Sequence, residues 1–298
     1  METPERVLRR LEFKVVRRLD GFFFGDYTGV FYGPSLDLAE VREYQPGDEI
    51  RRIDWNVTAR MSRLFVRQYR EERELTAWLV VDTSPSMGVG TRRQLKRELA
   101  AEFAGVAAYI VTRHGDKIGL VTFPGRGLVP PRTGKLHALR VIHRLLGEAS
   151  APEGSGATDL AEALRHAGRM CRRRALVFVV SDFLSSDRWE QPLLELARRH
   201  DVVAVWIQDP VERDLPDVGG LHFRDPETGA QAWVDTSDAR VRTAYRDLVA
   251  KQEAGLAETF RRAGVDVLRL ATHEAMLEPL LRFIAHRKRR RRWSSPGH

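Results

Sequence analysis

The chain has 298 residues, of which 43% are hydrophobic, and its formal net charge at pH 7 is +8. This length and apolar content are enough for a buried core. Cys171 is the only cysteine, which excludes an intramolecular disulfide and a cysteine-based metal cluster. The sequence has no run of eighteen apolar residues and its N-terminal segment mixes charges into every turn, so we expect a cytoplasmic protein without a transmembrane segment or signal peptide.

The predicted elements begin with an N-terminal extension over residues 1–72. Residues 1–20 carry apolar side chains at helical spacing, whereas residues 21–46 are irregular and punctuated by glycine. Residues 63–69 have the composition of a strand that leads into the next domain. The extension is therefore predicted to contain one helix, a turn-rich segment and one strand.

Residues 73–286 alternate between strands and helices. The pattern predicts strands at 75–81, 117–123, 175–182, 202–208 and 265–270. It predicts helices at 92–114, 135–146, 159–172, 188–200 and 238–263, and a last helix from residue 274. An inserted β-hairpin is predicted at 220–235, with its turn at 227–230. This order indicates an α/β fold with a doubly wound, mostly parallel sheet flanked by helices.

Most of the net charge lies at the C-terminal end of the sequence. Six consecutive basic residues occupy positions 287–292, and the rest of the chain carries a charge of about +2. We predict a basic, disordered tail over residues 287–298. Such a tail could bind nucleic acid or an anionic surface, which is an alternative function for the protein.

A group of side-chain oxygens follows the first strand of the α/β domain. The stretch WLVVDTSPSMG (78–88) ends an apolar run with Asp82, Ser84 and Ser86 at alternate positions. The buried strand at 175–182 also ends in a carboxylate, Asp182, and Thr158 lies just ahead of a helix. Ligands bind beyond the carboxyl ends of the strands where the strand order reverses, and we expect these two strands to be neighbours there.

This set of residues resembles the metal ion-dependent adhesion site of von Willebrand factor A domains. The resemblance implies that Asp82, Ser84, Ser86, Thr158 and Asp182 hold a divalent cation, with the aspartates acting partly through water. Hydroxyl and carboxylate oxygens suit Mg²⁺, and also Mn²⁺ or Ca²⁺, and the three segments contain no thiolate or imidazole that would favour zinc. An open coordination position would attract an Asp or Glu carboxylate from a protein partner.

A purely structural role is the alternative for the same residues. Ser84 and Ser86 would cap the following helix, and Asp182 would form an Asx-turn. The sequence also departs from the adhesion-site pattern at two positions. Pro85 stands where a glycine is often found between the serines, and Phe183 follows Asp182 where glycine is common.

A second motif precedes the α/β domain. The stretch YQPGDEIRRIDW (44–55), followed by an Ala-Arg pair, resembles the hallmark of bacterial domain-of-unknown-function family fifty-eight. The matching residues, structural or interacting, are Pro46, Gly47, Asp48, Arg51, Asp54, Trp55 and Arg60. On residue type alone, they favour either a charged network that pins the extension to the domain or a solvated loop. Members of that family are similar to von Willebrand A proteins and accompany MoxR-type AAA+ ATPases, which implies an adaptor or scaffold in protein assembly or remodelling.

An enzyme, such as a metal-dependent hydrolase, is the third class of function. Metal-assisted hydrolysis needs an activated nucleophile and usually a base near the ion. The three predicted loops contain no histidine, and we expect His114, His166 and His200 to be surface or capping residues. The sequence also lacks a glycine-rich phosphate-binding motif with Lys and Ser/Thr. We therefore expect a metal-dependent protein-binding module and not an enzyme.

Overall fold

The protein is built around a mixed α/β sheet with helices on both sides. The computed structural model describes residues 41–45, 48, 50, 53–61, 63–67, 75–125, 127–148 and 159–294. The strands of the described chain are Val41–Glu43 (β1), Phe65–Arg67 (β2), Thr76–Asp82 (β3), Lys117–Phe123 (β4), Leu128–Arg132 (β5), Leu176–Ser181 (β6), Asp201–Gln208 (β7), Gly220–Arg224 (β8), Gln231–Asp235 (β9) and Asp266–Ala271 (β10). Its helices are Trp55–Met61 (α1), Lys96–Arg113 (α2), Lys135–Glu148 (α3), Leu160–Met170 (α4), Glu190–Arg199 (α5), Ala239–Ala263 (α6) and Leu277–Ser294 (α7).

The central sheet has its strands in the order β10-β7-β6-β3-β4-β5. Neighbouring strands are parallel except β5, which pairs antiparallel with β4. The chain leaves β3 for β4 on one side and later returns to β6 on the other, so the strand order reverses at β3. The predicted mostly parallel sheet is confirmed, and so is the predicted pairing of the first strand with β6.

Both faces of this sheet are buried, as the sequence of β3 requires. Leu79 and Val81 belong to one core cluster, together with residues of α2, α3 and α7. Trp78 and Val80 belong to a second cluster on the opposite face, with residues of α4, α5 and α6. Strands that are covered on both faces read as continuous apolar runs, because every side chain leaves water. Gly119 on β4 leaves room for Trp78, since a Cβ there would lie 2.7 Å from the indole ring.

The edge strand β5 was not predicted. It contains Pro130 and Pro131 and lies between the predicted strand at 117–123 and the predicted helix at 135–146. Proline lacks the N–H group that a central strand needs, so it is tolerated mainly at sheet edges. The position of β5 at the end of the sheet satisfies this condition.

The N-terminal extension contributes a small sheet of its own. β2 lies within the predicted strand at 63–69, but it pairs with β1 and not with the central sheet. Asp54 is buried and caps the unpredicted helix α1 by accepting the Val57 N–H at 3.3 Å. Asp48 accepts the Gln45 N–H at 2.8 Å, as expected for a turn. Trp55 and Arg60 are exposed, whereas Pro46, Gly47, Arg51 and the predicted helix at 1–20 lie outside the described residues.

The predicted hairpin is present as β8 and β9, which form a separate two-stranded antiparallel sheet. The hairpin lies in the sequence between β7 and α6. A helix of the length and apolar content needed to cross a lipid bilayer is absent from the described part of the chain.

The structure differs from the predicted disordered tail over residues 287–294. Helix α7 continues through Ser294, and Arg287 is only 2% exposed. The Arg287 guanidinium pairs with Asp201, and its Nε lies 2.9 Å from an oxygen of Asp266. This basic residue therefore fastens the last helix to the start of β7 and β10. It is not available to a phosphate group.

We predict that replacing Arg287 with leucine lowers the free energy of unfolding by about 3 kcal/mol, because Asp201 and Asp266 lose a buried cation. Urea denaturation followed by circular dichroism measures this change. Arg289→Leu is the matched control, since Arg289 is exposed on the same helix and its loss should cost less than about 0.5 kcal/mol. Equal stability of the two variants would contradict a structural role for Arg287.

Candidate functional site

The candidate site lies at the carboxyl ends of β3 and β6, where Asp82 is 1% exposed. One oxygen of Asp82 accepts the Ser84 N–H at 2.9 Å, and the other accepts the Ser181 hydroxyl at 2.6 Å. Burial, and then the charge of Asp182, raise the pKa of Asp82 from 3.8 to about 7, although the hydrogen bonds from Ser181 and Ser84 oppose this shift. Asp82 thus joins the two strand ends and carries a charge that the fold solvates poorly.

The loop after β3 brings the two serine hydroxyls together. Ser84 has an extended backbone, with φ −61° and ψ 162°, and the 3-10 turn Pro85–Gly88 follows it. Ser84 Oγ lies 2.9 Å from Ser86 Oγ, and the Ser84 side chain does not cap the turn. The capping role proposed as an alternative is therefore not seen for Ser84. Pro85 occupies the first position of the turn, where its fixed φ is suitable and its missing N–H costs nothing.

The loop after β6 supplies Asp182, which is 3% exposed. Its Oδ1 accepts the Leu184 N–H at 3.0 Å, so the expected Asx-turn is present. Phe183 has a φ of 58°, in the left-handed region that glycine tolerates best. The Phe183 ring is buried against Trp189 and Phe260, with centroid distances of 5.5 and 5.0 Å, and this packing holds the unfavourable backbone.

A buried lysine that the sequence analysis missed completes the inner part of the site. Lys96, at the start of α2, is fully buried, and its ammonium donates to Asp182 Oδ2 at 2.6 Å and to Glu212. Burial alone would lower the pKa of Lys96, but the charges of Asp182 and Glu212 outweigh it and raise this pKa. Lys96 therefore remains an ammonium at neutral pH. Lys96 is one of many basic residues, and no pattern in the sequence distinguishes it from the others.

The hairpin places a further carboxylate on the loop after β3. Glu227 Oε1 accepts the Ser86 N–H at 3.1 Å, across 141 positions of sequence. Glu227 Oε2 is buried, and the described residues offer it no hydrogen-bond partner. Glu227 lies in the predicted hairpin turn, but no local pattern of the sequence connects that turn with the serines.

Four of the five predicted ligands therefore lie in one hydrogen-bonded region, and Thr158 lies outside the described residues. The region contains carboxyl groups from Asp82, Asp182, Glu212 and Glu227, and the ammonium of Lys96 pairs with two of them. Among the described residues, no three His, Cys, Asp or Glu side chains are arranged to hold a metal. The donors that fit a cation are instead the paired hydroxyls of Ser84 and Ser86 beside buried carboxylates, a set suited to Mg²⁺.

The histidines do not lie among these oxygens. His200 directly precedes β7 and His114 lies three residues before β4, so both are at the amino edge of the sheet, opposite to Asp82. His200 is buried, and its Nδ1 accepts the Ala175 N–H at 3.3 Å. His166, on α4, lines a separate cavity of about 310 Å³ together with Phe123 and Asp159. The expectation of a surface or capping role fits His114, which is exposed and is the C-cap of α2, and His200, which is the C-cap of α5.

The family follows from comparison with known sequences. A family model described as "Protein of unknown function DUF58" matches residues 40–255. The chain belongs to the DUF58 family. This DUF58 protein is 38% identical over 284 residues to uncharacterized proteins of Mycobacterium bovis and Mycobacterium tuberculosis, an alignment that covers 95% of the chain and 89% of each relative. An uncharacterized protein of Mycobacterium avium is 34% identical over 161 residues, which is 54% of this chain and 94% of that protein.

Two solved structures are similar to part of the DUF58 chain. One is the conserved hypothetical protein BatB from Bacteroides thetaiotaomicron, with a TM-score of 0.47 and 15% sequence identity. The other is an aerotolerance-related membrane protein from Bacteroides fragilis, with a TM-score of 0.47 and 14% identity. Each alignment covers 72% of the DUF58 chain and 99% of the solved chain.

We predict that Asp82→Asn stabilises the metal-free DUF58 protein, since the raised pKa means that ionised Asp82 costs free energy in the folded state. This cost is absent below the unfolded pKa of 3.8 and grows as the pH rises to about 7. The gain in free energy of unfolding should therefore be roughly 1–3 kcal/mol at pH 8 and near zero at pH 4. Urea titrations in EDTA at both pH values measure it.

Asp247→Asn is the control for this prediction, because Asp247 is exposed on α6. Its effect on the free energy of unfolding should be small and nearly the same at both pH values. A loss of stability in Asp82→Asn at pH 8 would contradict the expected cost of burying this charge.

Proposed function

We propose that this DUF58 protein is a protein-binding module whose binding site requires a divalent cation, Mg²⁺ in the first instance. The observation that carries the proposal is the convergence of Asp82, Ser84, Ser86 and Asp182 at the point where the strand order reverses. Open α/β sheets bind their ligands at this point. The same residues form the pattern that resembles the adhesion site of von Willebrand factor A domains.

The residues that would hold the cation are the hydroxyls of Ser84 and Ser86, together with Thr158 from the predicted set. A bound Mg²⁺ would supply positive charge to which a partner's carboxylate can bind. Asp82 and Asp182 contribute negative charge from behind the hydroxyls, since their oxygens already accept hydrogen bonds from Ser84, Ser181 and Leu184. This arrangement agrees with aspartates that act partly through water.

Lys96 sets the charge balance of the proposed site. Its ammonium partly neutralises Asp182 and Glu212, and its burial fixes its position. On the hydroxyl side of the site, Ser84 Oγ and Ser86 Oγ lie 2.9 Å apart, and Lys96 bonds to neither of them. An added cation at the hydroxyls would therefore balance the excess of carboxylates without displacing Lys96.

The proposed partner is a MoxR-type AAA+ ATPase or one of its client proteins. This part of the proposal depends on the resemblance to family fifty-eight, whose members accompany such ATPases. An adaptor that assembles or remodels proteins needs a reversible contact with its partner. A carboxylate bound through a cation provides such a contact, because its strength depends on the cation as well as on both proteins.

Metal binding gives the first test of the proposal. Isothermal titration with Mn²⁺ should show one binding site, and Ser84→Ala should weaken its affinity at least about tenfold because a donor is lost. Ser237→Ala is the matched control, since Ser237 is an exposed serine between β9 and α6 and its loss should leave the affinity unchanged. Equal Mn²⁺ affinity of the wild-type protein and Ser84→Ala would refute this site.

Capture of the ATPase gives the second test. The wild-type protein, immobilised on a resin, should retain a purified MoxR-type ATPase from the same organism in buffer with Mg²⁺ and release it in EDTA. Ser84→Ala should retain much less, and Ser237→Ala should behave as the wild-type protein does. Retention that is unaffected by EDTA and by Ser84→Ala would show a contact that does not use the proposed site.

A further inference from the structure

The turn of the hairpin is built to hold Glu227 in one place. Asp225 Oδ1 accepts the Glu227 N–H at 2.8 Å, and Asp225 Oδ2 accepts the Thr228 hydroxyl at 2.6 Å. The Gly229 N–H closes the turn on the Asp225 carbonyl at 2.8 Å, with a φ of 73° that suits glycine. These contacts fix the backbone on both sides of Glu227, so its side chain leaves the hairpin from an ordered position.

The contact between Glu227 and Ser86 joins the hairpin tip to the loop after β3. β8 and β9 form their own sheet, and an isolated two-stranded hairpin is marginally stable in water. Glu227 Oε1 accepts the Ser86 N–H at 3.1 Å, so the hairpin tip covers the loop that carries both serine hydroxyls. Coverage of the serine loop by the hairpin tip therefore depends on this contact.

Glu227 brings to this loop the same chemical group that the proposed partner would bring. One of its carboxylate oxygens is bound to Ser86, and the other is buried without a hydrogen-bond partner among the described residues. A buried carboxylate oxygen without a donor is costly, and its cost is relieved by a cation or by leaving the site.

We propose that Glu227 is an internal substitute for the partner's carboxylate: the hairpin tip covers the serine loop in the free protein and must leave before a partner can bind. This inference rests on the proposed function, since it concerns the regulation of the same site. The hairpin is suited to exchange because a side-chain contact joins its tip to the serine loop, whereas strands of the central sheet are held by ladders of backbone hydrogen bonds. The protein is thus autoinhibited while Glu227 is bound to the serine loop.

Hydrogen exchange with mass spectrometry, on the full chain in EDTA, tests whether the contact holds the hairpin. Glu227→Ala should increase the exchange rates of the amides at 82–88 and 225–230 at least about tenfold, because it removes the contact. Glu227→Gln should give a smaller increase, since its amide oxygen can still accept the Ser86 N–H. Glu258→Ala, which removes an exposed glutamate on α6, is the control and should change neither segment.

The relaxation rate of water protons on bound Mn²⁺ tests whether Glu227 substitutes for a partner's carboxylate. If Glu227 occupies the coordination position that a partner's carboxylate would take, Glu227→Ala should admit water at that position. The relaxivity of the Mn²⁺ complex should then rise by about 1.5- to 2-fold. Glu227→Gln should behave in the same way, because a neutral amide is a weaker ligand, and Glu258→Ala should leave the relaxivity unchanged.

The outcomes separate the two proposals. Unchanged hydrogen exchange in Glu227→Ala, or unchanged relaxivity with Mn²⁺ bound at the serines, would overturn the internal substitute and leave the metal site in place. Failure of the wild-type protein to bind Mn²⁺ would overturn the proposed function and the substitute together. Faster exchange in EDTA combined with higher relaxivity would support both.

Discussion

Two carboxylates buried at the ends of neighbouring parallel strands are the constraint on which this site depends. Asp82 ends β3 and Asp182 follows β6, and parallel pairing brings both to one edge of the sheet. Their charges oppose each other and both side chains are almost fully buried, so the surrounding loops must supply donors or cations. The Ser84 N–H, the Ser181 hydroxyl and the Lys96 ammonium meet this need.

The fold accepts several local costs at this edge. The left-handed backbone of Phe183 and the burial of the Asp82 charge, which raises the pKa of Asp82, both oppose folding. The two residues lie at the neighbouring carboxyl ends of β6 and β3. The aromatic cluster of Phe183, Trp189 and Phe260 offsets these costs by burying three large rings. Strain and poorly solvated charge that persist in this way are typical of functional sites.

The hairpin and an external carboxylate would compete for the hydrogen-bond donors of the loop after β3. Its backbone contributes an N–H group to Glu227 and its side chains contribute hydroxyls on the same side of the chain. Any external carboxylate must share this limited surface with the hairpin. Binding and inhibition would therefore use the same few atoms, and the free energy of a partner's binding would include the cost of moving the hairpin.

The sequence determined most of the central fold, because hydrophobic periodicity and strand-helix alternation are local properties of a chain. The pairing of β3 with β6 and the gathering of Asp82 and Asp182 followed from general rules for doubly wound sheets. The proline-containing strand β5 was missed, because prolines in a strand can be recognised only once its place at the sheet edge is known.

Lys96, Glu212 and Glu227 could not be found from the sequence, since each makes its contact with a residue more than 80 positions away and has no local pattern. Arg287 likewise read as the first residue of a basic tail, until packing buried it between two carboxylates. The sequence by itself thus determined the fold class, the strand ends and the serine-aspartate motif, which depend on local order and strand direction. Only the tertiary structure decided which distant charges meet at that motif, because burial and pairing of charged groups depend on the packing of the whole chain.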